Sequence, residues 1–292
     1  IVRQLQLRGL LGIGENYEMP SLTLVRSDGT TLYTTRDIAY SLQKFEQAQR
    51  VVNVIGSEQT LAQLQLKTAL CALGYREFAS AQKHFTFGLV ELPGYKMSSR
   101  RGRFITLDEV MDEATERAFR EVEKRSPELP EDEKLKIAEA VAIGAIKYAL
   151  VSIEPERTVI FTWDRVLNFE MNSAPFINYA YTRALGILRK VGSPPEAAAY
   201  SMLQHPLERE LILLIGRFPE ILAEAADNLR PDDIANHANQ LAEKFHEYYE
   251  KVDISHLEDV YLKSARARLV MSIQVVLRNA TEVLGIRLTE RM

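Results

Sequence analysis

The sequence has a single cysteine, Cys71, and a single tryptophan, Trp163, among its 292 residues. One thiol excludes an internal disulfide framework and fits a reducing compartment. No apolar run approaches the roughly 18–20 residues that a membrane helix needs, and nothing at the start has the order of a secretory leader. These absences predict a soluble, cytoplasmic protein with no membrane partner. Neither sign of charge dominates: 36 basic against 40 acidic side chains leave a net charge of −4. Any contact with nucleic acid must therefore come from a local patch, not from the field of the whole molecule. With 46% hydrophobic and 26% charged residues, the composition excludes a disordered or collagen-like chain. The first residue is Ile1, not Met, which predicts that something precedes it in a longer protein.

What is present falls into two halves. Residues 22–25 and 31–34 are short β-rich runs around Asp28-Gly29, a hairpin signal. Residues 36–45 read as a helix, and 51–55 as a buried parallel strand closed by Gly56. A helix over 59–73 ends at Gly74, and 85–92 is strand-like up to Pro93-Gly94. Two strand–helix–strand passages imply an incomplete doubly wound sheet. From Thr106 the period changes to 3.6, with Thr106 and Glu109 forming a capping box ahead of a helix over 107–124. Residues 108–133 hold eleven acidic and four basic side chains, a solvated surface or a linker. Helical blocks follow near 132–151, 172–191, 194–204, 205–226, 231–250 and 255–284, with strand signal only at 158–162. The predicted fold is α/β plus all-α, divided into residues 1–125 and 126–292.

Chemistry concentrates at residues 94–103. There Lys96, Arg100, Arg101 and Arg103 set four cations within eight residues, while Ser98, Ser99 and Gly102 let the backbone approach a ligand. Such a loop beyond a strand suits a polyphosphate, because fixed positive charge offsets negative charge that grows during transfer. On charge alone, a solvated basic loop accounts for it equally. Tyr33 and Asp37 stand four apart, with Asp37 expected to open a helix. A carboxylate there can take a guanidinium fork, with a tyrosine hydroxyl adding a third bond, or it can be an ordinary first-turn acid. Gln59 follows the strand over 51–55, where open α/β sheets bind ligands, or is simply a first-turn helix residue. Phe176, Tyr179 and Arg183 fall on one helix face. That face either stacks on unpaired bases, at about 1–3 kcal/mol each, or belongs to the core. Tyr248 and Tyr249 read as core or rim, and Trp163-Asp164-Arg165 as structural.

In this order the segments resemble arginyl-tRNA synthetases, members of the class I aminoacyl-tRNA synthetases. Lys96-Met97-Ser98-Ser99-Arg100 is similar to the KMSKS signature loop of that class. Four more segments carry the likeness: 33–39, 54–59, 84–88, and 161–170 continuing through 174–183. The closing Glu290-Arg291-Met292 follows the same pattern, so the likeness runs from about Leu22 to the last residue. Five segments in order are far more specific than any one alone.

The resemblance implies a partial Rossmann-type parallel sheet followed by an α-helical anticodon-binding bundle. It implies ATP-dependent ligation of L-arginine to tRNA-Arg through arginyl-adenylate, as part of translation. Tyr33, Asp37 and Gln59 are then expected to line the arginine pocket. His84, Phe87, Gly88, Lys96 and Met97 would border ATP, and Lys96, Ser98 and Arg100 would serve the catalytic loop. Phe176, Tyr179, Arg183 and Met292 would meet the anticodon. Ser99 departs from the second signature lysine; Arg100 or Arg101 could supply the charge, although a guanidinium is not an ammonium. ATP with Mg2+ enters as a substrate, with no tightly bound cofactor and no metal site. The five histidines, 84, 205, 237, 246 and 256, stand in no His-x-Gly-His frame, so the HIGH signature is missing. The expectation is a carboxyl-terminal part, inactive alone, whose partners are tRNA-Arg, L-arginine, ATP and the missing amino-terminal half. The alternative is a synthetase-like module that binds tRNA without chemistry.

Overall fold

A computed structural model describes residues 6–94, 105–192, 198–254 and 256–291. The backbone groups into two units, Ile1–Leu89 with Pro155–Arg157, and Val90–Glu154 with Thr158–Met292.

The first unit begins with a short helix, α1 (Arg8–Leu11), closed by Gly12. At 26–30 the Asp28 carboxylate takes both the Thr30 N–H, at 2.9 Å, and the Thr30 hydroxyl, at 2.7 Å. The expected hairpin is only this turn and one antiparallel bridge, Val25 to Thr31. The strand predicted over 31–34 gives way to α2 (Tyr33–Gln47). The Leu24 carbonyl accepts the last ladder bond, from the Leu32 N–H at 3.0 Å, and a second one from the Thr35 hydroxyl of the helix. There follow β1 (Val51–Gly56), a 3-10 turn at Ser57–Gln59, α3 (Thr60–Ala72), α4 (Arg76–Ala81) and β2 (Gln82–Phe87). β1 and β2 are parallel, in register from Val51 with Gln82 to Gly56 with Phe87. Leu7, Leu11, Ile38, Leu66, Leu70, Cys71 and Ala79 form the small core.

The single strand expected over 85–92 is two. β2 stops at Phe87, and β3 (Val90–Glu91) pairs with β4 (Val159–Ile160) in the second unit's own two-stranded sheet. Gly88 is where the chain changes course. Its N–H donates to the Pro155 carbonyl at 2.7 Å, and a Cβ there would collide with the Arg157 carbonyl. Among the described residues the predicted doubly wound sheet is therefore one parallel pair in this unit.

In the second unit, α5 (Leu107–Arg125) opens on the predicted capping box. The Thr106 hydroxyl accepts from the Glu109 N–H at 3.2 Å, and the Glu109 carboxylate takes the Thr106 N–H at 2.8 Å. The acid-rich stretch resolves as a solvated helix face laced by Glu113–Arg117, Glu116–Arg120 and Glu121–Arg125 pairs. Such pairs contribute only a few tenths of a kcal/mol each, roughly. The opposite face, Ala114, Ala118 and Val122, packs on Ile137 and Val141 of α6 (Glu131–Val151). After α7 (Trp163–Val166) come α8 (Ala174–Val191), α9 (Pro206–Asn228), α10 (Pro231–Lys251) and α11 (Val260–Val283). The helix predicted over 194–204 is not seen where it is described; there is a 3-10 turn at Tyr200–Met202, and 193–197 lie outside the described residues. Ile177, Leu211, Leu241, Phe245, Ile273 and Leu277 centre the bundle core. Beside them the fully buried Glu208 accepts from Arg266 Nε at 2.8 Å and from the Tyr248 hydroxyl at 2.9 Å. Among the described residues no helix is long and apolar enough to cross a membrane.

Candidate functional site

In the first unit a three-residue loop joins α2 to β1. Lys44 Nζ reaches Asn53 Oδ1 at 2.9 Å, and Asn53 Nδ2 donates to Gln63 Oε1 at 2.8 Å, tying α2, β1 and α3 together. Tyr33 is the first residue of α2 and is 85% exposed. Asp37 does not open the helix as expected; it lies in the second turn, on the same face as Tyr33, and is half-buried. Its carboxylate has no partner among the described residues. A half-buried carboxylate can accept from a guanidinium, an ammonium or water.

Gln59 is exposed at the end of the 3-10 turn beyond β1. Its neighbour Glu58 folds back over Gly56, where a Cβ would collide with the carboxylate. His84 stands opposite Asn53 on β2, and its Nε2 lies 3.1 Å from the Ile55 carbonyl, a bond between strands. Phe87, 45% exposed, ends the strand. The packing of residues 155–157 against Gly88 accounts for that glycine without any ligand. Lys96, Met97, Ser98 and Arg100 lie outside the described residues, as do Ser99, Arg101 and Arg103 and, at the terminus, Met292.

In the second unit the predicted aromatic face divides. Ser173 caps α8 by accepting from the Phe176 N–H at 3.1 Å, which sets the helix phase. Phe176 is 7% exposed and packs its ring 4.7 Å from that of His246, so it is core and closed to a stacking base. Tyr179 and Arg183 are half-buried at the rim. Arg183 lies over the Tyr179 ring at 4.2 Å and the Tyr249 ring at 4.7 Å. Its Nη2 donates to the Tyr179 hydroxyl at 3.0 Å, and its Nη1 lies 3.0 Å from His246 Nδ1. Burial, reinforced by the Arg183 cation, pushes the His246 pKa down to about 4, although its bond to the Phe176 carbonyl and the Glu250 charge act the other way. Tyr248 is fully buried and Tyr249 is exposed, so one is core and the other rim. Sequence reasoning placed neither His246 nor Tyr249 in this cluster. The available signal was their spacing of three on a helix that must pack against α8.

Comparison with known proteins finds matches over most of the chain. Residues 11–163 match the family described as tRNA synthetases class I (R), catalytic domain, and residues 177–292 match the DALR anticodon binding domain. The arginine–tRNA ligase of Ignicoccus hospitalis is 46% identical over 290 residues, a match covering 98% of this chain and 46% of that protein. The arginine–tRNA ligase of Aeropyrum pernix is 40% identical over 295 residues, covering 100% and 46%. Among solved structures, Thermus thermophilus arginyl-tRNA synthetase superposes with a TM-score of 0.87 at 30% identity, covering 97% of this chain and 53% of that one. The chain thus spans about half the length of the relatives it matches. With the class I catalytic match over more than half of its residues and an anticodon-binding match following it, the chain belongs to the arginine-type class I tRNA synthetase family.

Proposed function

We propose that this chain supplies the arginine pocket, the phosphate loop and the anticodon bundle of an arginine–tRNA ligase. Residues 1–125 serve as the carboxyl-terminal part of the catalytic domain and 126–292 as the anticodon-binding domain. Asp37 takes the guanidinium of L-arginine through paired charge-assisted bonds, Tyr33 adds its hydroxyl, and Gln59 adds an amide. Lys96, Ser98 and Arg100 act on the phosphates of ATP, with His84, Phe87, Gly88 and Met97 bordering the nucleotide. The arginine carboxylate attacks the α-phosphate, pyrophosphate leaves, and the tRNA ribose then takes the aminoacyl group. Positioning and electrostatics do this work, so no protein nucleophile is required. Mg2+ would travel with the ATP phosphates. We assign the ion no protein site of its own.

The observation that supports the reading is the half-buried Asp37, without a partner among the described residues, one turn from Tyr33 on α2. Losing a buried charged partner costs about 2–5 kcal/mol. In a protein joining this chain to the amino-terminal half with the HIGH signature, Asp37→Ala is expected to raise arginine KM by about 30-fold or more. An unchanged KM overturns the pocket. The 292-residue chain alone is expected to show no arginine-dependent ATP–pyrophosphate exchange, and recovery of exchange on adding the other half separates an enzyme from a non-catalytic tRNA-binding module. In either case Tyr179 and Arg183 bind the anticodon loop with Met292 nearby, and Phe176 supports them from the core.

A further inference from the structure

We infer that His246 is a positioning residue, which holds the Arg183 guanidinium in one orientation so that its remaining N–H groups face the acceptor atoms of a single-stranded RNA loop. The inference rests on the anticodon-binding reading and adds how the cation in that site is set. A guanidinium carries five N–H donors. Among the described residues Arg183 directs one at His246 Nδ1 and one at the Tyr179 hydroxyl, leaving three. The tautomer follows from the two contacts of the imidazole. Nδ1 must accept, because guanidinium has only donors, so Nε2 carries the proton and donates to the Phe176 carbonyl at 3.4 Å. Only the neutral ring can do both.

The charged groups acting on this ring are Arg183 of α8 and Glu250 of its own helix, and the rings packed against it are Phe176, Tyr179 and Phe245. His246 is itself 9% exposed, too little to offer its ring to a ligand directly. It acts through Arg183. With Tyr179 and Tyr249 already against it, the guanidinium is engaged by rings of the protein itself. That favours recognition by its in-plane N–H groups over stacking on a base. The matching chemistry is an acceptor pair, either phosphate oxygens or the acceptor edge of a base.

The test uses the 292-residue chain and an RNA hairpin carrying the anticodon arm of tRNA-Arg. His246→Phe keeps a ring and removes the acceptor, and is expected to weaken hairpin binding about tenfold or more. His246→Asn, which restores an acceptor near the Nδ1 position, is expected to bind within about threefold of the unaltered chain. Arg183→Ala should add little to His246→Phe, because the two act as one unit. If His246→Phe fails to fold, nitrogen NMR of His246 at neutral pH serves instead, with the neutral Nε2–H tautomer expected with and without RNA. Unchanged binding by His246→Phe, full additivity with Arg183→Ala, or an Nδ1–H or charged ring overturns the inference. If the unaltered chain does not bind the hairpin, the anticodon reading falls and this inference with it. The source of the acceptor separates by salt. A phosphate contact makes Arg183→Ala lower the salt slope by about one for every loop sequence, whereas a base-edge contact makes the loss depend on one loop base.

Discussion

In the helical unit the side chains of Leu241, Phe245, Ile273 and Leu277 have no solvent exposure, while in the α/β unit Val52 and Val54 of β1 are 37% and 64% exposed. β1 buries Val51 and Asn53 on the side of α3, and its other face has no helix over it among the described residues. Parallel sheets are normally covered on both faces. The amide of Gln82 and the hydroxyl of Thr86, both on β2, are buried without hydrogen-bond partners, a condition that folded proteins rarely leave uncorrected. Unpaired buried polar atoms occur in the bundle too, His237 Nε2 and Asn239 Oδ1 among them, so the contrast between the units lies in how far their apolar side chains are covered. The contrast teaches that the two units need different things from a mutation. A bundle residue answers to stability first, and a sheet residue to what it presents.

The chain carries a native probe for each unit. Trp163, its single tryptophan, lies in the second unit on α7, against Phe161. Cys71, its single thiol, is buried in the first unit on α3. The largest expected effect is at Glu208. Glu208→Ala strips Arg266 and the Tyr248 hydroxyl of their buried acceptor and undoes the cap that its carboxylate gives the His205 N–H. Removing one member of a buried charged pair costs about 3–5 kcal/mol. Urea unfolding followed by Trp163 fluorescence should register that loss, while the rate of Cys71 labelling in native buffer stays unchanged. A parallel rise in Cys71 labelling would break the comparison by showing that the units open together.

The bundle was the more legible unit of the two. Its helices are long and amphipathic, so a period of 3.6 located most of them, and Thr106 with Glu109 announced their own capping box. The sheet was less legible because its signals are tertiary. Thr31 to Thr34 have strand propensity, yet the ladder ends with the Leu32 N–H on the Leu24 carbonyl and the helix begins at Tyr33. Residues 85–92 read as one strand because nothing local shows that Gly88 meets a backbone segment nearly seventy positions later. The arginine-pocket candidates Tyr33 and Asp37 needed only i, i+4 spacing to be paired. His246 could not be read in that way, since its partner Arg183 is 63 residues away on another helix.

A second effect, of intermediate size, sharpens the comparison through pH. His246 has an ordinary pKa of 6.5 when unfolded and about 4 in the bundle. Between these values the unfolded chain takes up a proton that the folded chain refuses. Its contribution is therefore intact above about pH 6.5, is lost progressively as the pH falls toward 4, and changes no further below that. Burial also lowers the pKa of His237, which acts in the same direction. The two-and-a-half-unit difference bounds the His246 effect at about 3 kcal/mol. Stability read from Trp163 should fall across this window, and His246→Asn should flatten the slope. A slope unchanged by that substitution would assign the effect elsewhere.

The smallest effect comes from one substitution made twice. Val270 on α11 is fully buried and Val54 on β1 is 64% exposed. Valine to threonine keeps the shape and adds a hydroxyl, so the two positions differ chiefly in what surrounds the new oxygen. At Val270 the hydroxyl enters an apolar core, with only the preceding helical turn's carbonyl for a partner, as Thr281 already bonds to Leu277 at 2.8 Å. The expected cost is about 1–3 kcal/mol by urea unfolding. At Val54 the hydroxyl meets water, and threonine suits a strand as well as valine does. There the expected change in Cys71 protection is within about 0.5 kcal/mol. Equal costs at the two sites would mean that the outer face of β1 is covered in solution, and the contrast between a closed bundle and an open sheet would not hold.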